Sequence, residues 1–317
     1  MALLLRENDV EKVLNYREVY DSLVRAFKQL NSGLAANTKR VRTSYHGSVL
    51  TYQAGGIDSY LGFKVFLKGS FISMLFDENG ELLLITEADL LTRIRTGVIS
   101  VIAADYLAKP SYSHITVIGL GRQGQFQVRA FHELKKGVTI KVFSKEKLEL
   151  EVKQLLKDGF NVIKAKDYKD ACKDAEVIVT VTNSKDPFLK SEFLEKGVHV
   201  NAMGSNLPER VELFPEVLKV ASLIVVEDLQ QAKEEAGDLI LADKMKMLDW
   251  DKVVPISSVI DGQIKRRSED EITVFKSLGI GLEDVAVMKV LYEKAKKIGL
   301  GTEIVVRGRW SPESEKK

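Results

Sequence analysis

Three cations in the first hundred residues stand where a solvated surface charge would not. Lys64 lies inside GFKVFL with apolar neighbours on both sides. Arg95 sits in LLTRIRTG, a segment otherwise apolar on one side, and Arg40 opens the strand-like run around VRTSYH. A buried cation without a counter-charge is very costly, so each needs a carboxylate or a bound anion. If the three converge, Arg40 and Arg95 can grip a carboxylate through paired N–H donors. Lys64 can then bond the same group or a neighbouring amine or imine nitrogen. The alternative is three separate salt bridges at a sheet surface, and spacing alone leaves both open.

A second constellation lies further on, in HITVIGLGRQGQFQVRAF. Gly119, Gly121 and Gly124 form G-x-G-x-x-G between an apolar strand-like run and a helical one. The first glycine permits a tight turn, the second lets backbone approach a pyrophosphate, and the third allows close helix–strand packing. The helix N-terminus then faces the negative charge. The next strand-like run, TIKVF, falls where a dinucleotide-binding unit needs it. It ends in VFSKEK, where an Asp or Glu would ordinarily accept from a ribose 2′-hydroxyl. Here Ser144, Lys145 and Lys147 suit a 2′-phosphate better, which prefers NADP(H) and leaves NAD(H) possible, with Glu146 as the alternative ribose ligand.

A third feature is GVHVNAMGSNLPER, a buried-strand pattern that halts on Gly-Ser-Asn. Open α/β sheets bind ligands at the carboxyl ends of their strands, and Asn206 is placed at such an end. An amide orients partners by hydrogen bonding but cannot gain and lose a proton near neutrality. Asn206 could equally satisfy its own turn, helped by Pro208.

The elements that must position these residues follow from periodicity. Residues 8–33 read as one amphipathic helix or two, and about 38–86 as short strands of a mainly antiparallel sheet. Residues 87–107 return to helical spacing. From HITVIG onward, apolar strands alternate with helices, including a helix expected between EVIVTVT and VHVNAM. That pattern predicts a doubly wound parallel sheet. The last segment, EDVAVMKVLYEKAKKIG, predicts an amphipathic helix stopped by Gly299, followed by a strand-like TEIVVRG. The charged stretch QQAKEEAGD reads as a solvated helix face.

The chain has 317 residues, 45% hydrophobic and 29% charged, with a formal net charge of +2. That composition suits about two globular domains and gives no electrostatic reason to expect nucleic acid or a membrane surface. No long apolar run predicts a membrane span or a signal peptide, so a cytoplasmic location is expected. The lone Cys172 reads as inert, and the four histidines lack metal-ligand spacing, so no metal is expected.

With LGFK, LLTRIRTG, VIGLGRQGQ, NAMGSNLPERVEL and ITVFKSLGIGLEDVA in one chain, the sequence resembles the ornithine cyclodeaminase/μ-crystallin family. That family includes an archaeal type of alanine dehydrogenase and cyclic-imine reductases. The likeness runs from the N-terminal helix to about Gly301. It implies an α/β fold in which a Rossmann unit (111–287) is inserted into an α+β substrate-binding and dimerisation unit (1–110 plus 288–317), and it implies a homodimer. It also implies that Arg40, Lys64 and Arg95 hold a substrate α-carboxylate. Thr96, Gly121, Arg122, Gln123, Thr180, Thr182, Arg210, Ser277, Leu278 and Gly279 would lie at or near the cofactor. The polar and basic pair Ser144–Lys145 accompanies NADPH use in that resemblance. Ornithine cyclodeaminases carry an aspartate where this chain has Asn206, so the resemblance favours net hydride transfer at the α-carbon of a small imino or amino acid. Lys64 and Asn206 are then the catalytic candidates. The alternatives are ornithine cyclodeamination, alanine deamination, and a non-catalytic protein that binds NADPH and a small ligand.

Overall fold

The chain opens on a strand, β1 (Ala2–Leu5), which pairs antiparallel with the last strand and parallel with a later one. A four-residue strand has no period to read, so only non-local pairing reveals it. The fold, a computed structural model, is described for residues 1–146, 149–204 and 206–306. The expected N-terminal helical stretch is two helices, α1 (Glu7–Val13) and α2 (Tyr16–Asn31). They divide at Asn15, whose side chain accepts from the Glu18 amide at 2.9 Å and caps α2. Such a cap stabilises a helix by about 1 kcal/mol. Val19, Leu23, Ala26 and Phe27 recur on one face of α2, and that face is buried.

Strands β2 (Ala35–Asn37), β3 (Val41–Tyr45), β4 (Ser48–Ile57), β5 (Tyr60–Leu67), β6 (Ser70–Asp77) and β7 (Leu82–Glu87) follow. They pair antiparallel, as expected. Asp58 and Ser59, both at φ near 50°, make the reversal between β4 and β5. Two left-handed residues in succession match the twist of a tight hairpin. Alternation along β5 turns Gly62 and Lys64 to the buried face and leaves Leu61 and Leu67 on the outer one.

Helix α3 (Asp89–Leu107) is buried along most of its length and joins the two sheets. It crosses α4 (Gly124–Leu134) at Gly97, where a Cβ would lie 2.5 Å from the Phe126 carbonyl oxygen. Only a residue without a side chain permits that approach.

The second sheet is built from β8 (His114–Ile118), β9 (Thr139–Phe143), β10 (Val162–Lys164), β11 (Val177–Thr180), β12 (His199–Ala202), β13 (Leu223–Val226), β14 (Val253–Pro255) and β15 (Thr273–Lys276). Every pairing in it is parallel, in the order β10-β9-β8-β11-β12-β15-β13-β14. Strand order reverses between β8 and β11, the crevice where such sheets bind ligands. Helices α5 (Glu149–Lys157), α6 (Tyr168–Cys172), α7 (Pro215–Val220), α8 (Leu229–Glu235), α9 (Gly237–Lys244) and α10 (Ile256–Ile260) fill the connections. The helix expected between β11 and β12 is only a 3₁₀ turn at Ser191–Phe193. Its approach is held extended by a bridge between Leu189 and Leu213, just after Pro187.

Helix α11 (Gly281–Ile298) returns to the first sheet and stops at Gly299, which is left-handed at φ 66°. Strand β16 (Thr302–Ile304) then pairs with β1. At the start of α11, a Cβ on Gly55 would lie 2.7 Å from the Leu282 Cα, and one on Gly281 would lie 2.4 Å from the Ala54 carbonyl oxygen. This contact seats the N-terminus of α11 on the inner face of the first sheet. A boundary at 287/288 would cut through α11, so we propose that the substrate-binding unit resumes at about residue 281. Among the described residues no helix is long and apolar enough to cross a membrane, and no cluster suits a metal ion.

Candidate active site

The inner face of β5 carries Lys64, α3 carries Arg95, and Arg40 immediately precedes β3; all three are buried, with 2–5% of their surface exposed. They converge on one cleft of about 330 Å³. Each also has the carboxylate that its burial demands. Lys64 Nζ lies 2.7 Å from Asp284, Arg95 Nη1 is 2.6 Å from Glu283, and Arg40 Nη1 is 2.6 Å from Glu235. The cations share one cleft and each is ion-paired behind it, but the pairs are buried and Lys64 and Arg95 share Asp284, so they are not three separate bridges at a sheet surface.

The acids stand behind the cleft. None of the described residues that line it is acidic, whereas Arg40, Lys64, Arg95 and Arg210 all do. Burial lowers the Lys64 ammonium from its ordinary 10.5 to about 8, against the pull of Asp284 and with the push of Arg95. Asp284 is pushed up by burial, but Lys64 and Arg95 outweigh this and hold its carboxylate below the usual range. Glu283 goes the other way: burial raises it to about 8 despite Arg95. Burial thus brings the Lys64 ammonium close to the range where it can exchange a proton near neutrality.

Two further acids shape the rim. Glu235 accepts from Arg40 and also from Arg42, whose other nitrogen donates to the Asn206 carbonyl at 2.9 Å. Glu227 accepts from Ser277 Oγ at 2.5 Å, from the Leu278 amide at 2.9 Å and from the Gly279 amide at 3.1 Å. It thereby holds a turn whose carbonyls accept from Arg40. Gly279 is left-handed at φ 72°, and a Cβ there would meet the Arg95 guanidinium at 2.8 Å.

Of the residues singled out in the sequence, Arg40, Lys64, Arg95, Thr96, Gln123, Asn206, Arg210, Ser277, Leu278 and Gly279 all line this cleft. Phe66 and Phe71, stacked at 5.4 Å, and Met203 supply its apolar wall. A second cleft of about 340 Å³ takes Gly119, Gly121, Ser144, Lys145 and Thr182, together with Glu146. The aromatic pair Tyr168–Phe188, stacked at 5.0 Å, closes its far side. Three candidates are placed otherwise. Arg122 is ion-paired with Asp89 and lies over the Phe71 ring at 5.2 Å. Gly124 packs against the turn, where a Cβ would be 2.0 Å from the Gly119 carbonyl oxygen. Thr180 is fully buried and donates to Glu212 at 2.8 Å, behind the cleft wall. Lys147 and Ser205 lie outside the described residues.

The stretch QQAKEEAGD is not the solvated face expected of it. Gln231, Glu235 and Asp238 are buried, while Gln230, Lys233 and Glu234 remain exposed. Its helical period puts the acid for Arg40 on the inner side, and only the requirement that a buried cation be paired pointed to such an acid. The same holds for Glu283 and Asp284, read from sequence only as part of an amphipathic helix. His199 is buried and bonded to Thr273 at 2.9 Å and Asn201 at 3.0 Å, a packing role. Cys172 is buried, and burial raises its thiol to about 12, as suits an inert residue.

A nucleotide fits the second cleft by its shape. Gly119 sits at φ 100°, and a Cβ there would meet the Val181 carbonyl oxygen at 2.6 Å, while a Cβ at Gly121 would meet nothing within 4 Å. The turn is thus packed on one side and open on the other. The N-terminus of α4 has no side-chain cap and starts at that turn, so the positive end of the helix faces the cleft.

Known proteins are similar to this chain in sequence and fold. The Delta(1)-pyrroline-2-carboxylate reductase of Bacillus cereus is 34% identical over 239 residues, which cover 74% of this chain and 73% of that protein. An archaeal alanine dehydrogenase dimer with bound NAD superposes with a TM-score of 0.89 at 31% identity, over 96% of this chain and 99% of the other. The Thermococcus litoralis Delta(1)-pyrroline-2-carboxylate reductase, solved with NADH and L-proline, gives a TM-score of 0.87 at 27% identity, over 95% and 100%. Residues 69–299 match the ornithine cyclodeaminase/mu-crystallin family, and the chain belongs to that family.

Proposed function

We propose that the protein is an NAD(P)(H)-dependent oxidoreductase that transfers hydride to or from the α-carbon of a small imino or amino acid. Its leading reaction is reduction of a cyclic α-imino acid of the Δ1-pyrroline-2-carboxylate type. One observation carries the reading: Arg40, Lys64 and Arg95 share a cleft with Thr96, Gln123 and Arg210, close to a glycine turn shaped for a pyrophosphate. The reduced nicotinamide, when bound, supplies the hydride.

The chain's own residues do the rest. Arg40, Arg95 and Lys64 hold the substrate carboxylate by charge-assisted hydrogen bonds. Lys64, at about 8, is able to give a proton to the nitrogen that becomes the amine. Asn206 orients that nitrogen or a water and takes no proton. The Phe66–Phe71 wall suits an apolar ring, and among the described lining residues there is no carboxylate to pair with a second ammonium such as that of ornithine. This supports imine reduction over cyclodeamination. Alanine dehydrogenation is the second reading, favoured by the 96% of the chain that superposes on the archaeal enzyme.

Lys145 beside Ser144 supports NADP(H) as the preferred cofactor, with NAD(H) second. A homodimer is supported by the outer face of the first sheet, where Tyr52, Leu61, Leu67 and Ile72 are 36–54% exposed. So continuous an apolar face calls for a partner. The test is oxidation of NADPH, then NADH, with Δ1-pyrroline-2-carboxylate, Δ1-piperideine-2-carboxylate, and pyruvate plus ammonia. Oxidation by a cyclic imine is expected. Ammonia release from ornithine without net cofactor change, or tight cofactor binding with no turnover on any of them, would replace this reading.

A further inference from the structure

Behind the two clefts lies a buried carboxylate that touches neither. Glu212 is fully buried. Its Oε1 accepts from the Thr182 amide at 2.6 Å and from the Thr182 hydroxyl at 2.8 Å. Its Oε2 accepts from the Thr180 hydroxyl at 2.8 Å and the Gly204 amide at 2.9 Å. Thr182 belongs to the wall of the glycine cleft, and Gly204 to the wall of the cation cleft, two residues before Asn206. One side chain therefore joins the end of β11 to the end of β12, where both clefts begin.

We propose that Glu212 is a positioning residue that sets the spacing between the cofactor wall and the segment carrying Asn206. The residue is itself anchored. Its amide and that of Leu213 donate to Asp238 Oδ1 at 2.6 and 2.9 Å. The other oxygen of Asp238 lies 2.8 Å from Lys276 Nζ at the end of β15, and both of those side chains are 0% exposed. The fit is close: a Cβ on Gly204 would lie 2.2 Å from Glu212 Oε1, so only glycine leaves the carboxylate room. Each oxygen faces one backbone amide that can only donate, so each must keep a lone pair for it. Burial holds the group above the ordinary carboxylate range, against the downward pull of the Lys276 ammonium.

The isosteric change Glu212→Gln breaks this arrangement by one atom. Whichever way the amide turns, its NH₂ faces a backbone N–H, that of Thr182 or that of Gly204. A hydroxyl can rotate away from such a clash, but a backbone amide cannot. The strand end that meets the NH₂ must move.

The first readout needs no ligand. Hydrogen exchange of the unliganded protein should show amides at 181–182 and 203–204 exchanging about tenfold faster in Glu212→Gln, with the interiors of β11 and β12 still protected. The second is NADPH affinity, read by nicotinamide fluorescence, which rests on the proposed function. Loss of one charge-assisted bond predicts about tenfold weaker binding, with a parallel fall in kcat. A merely structural role would lower Tm and leave exchange at the two strand ends, affinity and kcat unchanged well below the transition; that result overturns the proposal. Should Glu212→Gln fail to fold, Thr180→Val, which removes one donor from the same carboxylate at nearly constant shape, decides it by the same readouts. If the unaltered protein binds neither NADPH nor NADH, the proposed function fails while the exchange result still decides the role of Glu212.

Discussion

The two clefts of this molecule are made in opposite ways. The cation cleft is built from side chains: Lys64, Arg95 and Arg40, each held by an acid from another element, Asp284 and Glu283 from α11 and Glu235 from α8. The glycine cleft is built from their absence, with Gly119 packed against Val181 and Gly121 left open. The first is prearranged by charge, so removing a group should disable it and also unbalance the core. The second is prearranged by backbone, so adding a group should disable it and, at the right position, leave the core alone. Each half of that contrast can be broken by a single change.

The largest effect is expected from Lys64→Met. Losing the proton donor and one carboxylate ligand should lower kcat/KM about 10²–10⁴-fold. Asp284, which is 0% exposed, would keep its charge with Arg95 and Gln53 as its remaining partners among the described residues. Breaking a buried pair in this way costs about 3–5 kcal/mol. Urea unfolding should show that loss, and adding Asp284→Asn should recover much of the stability and none of the activity. Recovery of both would mean that Lys64 is structural.

The glycine cleft should respond the other way. Gly121→Ala should leave Tm unchanged, because the new methyl meets no protein atom within 4 Å. It should weaken NADPH binding about 10–100-fold by displacing the phosphate from one or more amides. Gly119→Ala is the control, since its methyl would be 2.6 Å from the Val181 carbonyl oxygen at a left-handed φ. That variant should lose stability as well as binding. Equal behaviour of the two alanines would break the contrast.

A pH profile sharpens the comparison without any substitution. Lys64 titrates at about 8 instead of 10.5, because burial disfavours its charge. Imine reduction uses the protonated form, so kcat/KM should be level below pH 8 and fall about tenfold per unit above it. Amine oxidation uses the neutral form and should rise over the same range. NADPH affinity, which does not involve Lys64, should not follow that break near pH 8. A reduction rate that is level to pH 10 would remove Lys64 as the acid.

The same contrast explains what could be read from the sequence. The glycine turn was legible because its requirements are local: G-x-G-x-x-G between a strand and a helix is one continuous segment. The parallel sheet and the paired strands of the first unit were legible for the same reason, through apolar runs and turn residues. Lys64 and Arg95 stood out because a charge in an apolar run is locally anomalous. Their partners did not, because Asp284 pairs with Lys64 across 220 positions and Glu235 with Arg40 across 195. Glu212 was not singled out within PERVEL, because the amides it accepts from, those of Thr182 and Gly204, lie at two separate strand ends. β1 was invisible because four residues have no period and its neighbours are β7 and β16.

The smallest effect tests the far end of the glycine cleft, where a side chain returns. Lys145 and Ser144 line it beside Glu146, at the end of β9 where a ribose would be read. If Lys145 meets a 2′-phosphate, Lys145→Ala should weaken NADPH binding about tenfold, the worth of one charge-assisted contact at a solvated site. NADH binding should not change, since a bare 2′-hydroxyl gives the ammonium nothing to pair with. The loss should also shrink at high salt, because an exposed contact is screened within about a Debye length. If instead NADH binds as tightly as NADPH in the unaltered protein and Glu146→Gln weakens NADH selectively, then Glu146 is the ribose ligand. The preference for NADP(H) would then be wrong, and the glycine cleft would be read by a carboxylate acceptor, as in an ordinary NAD site.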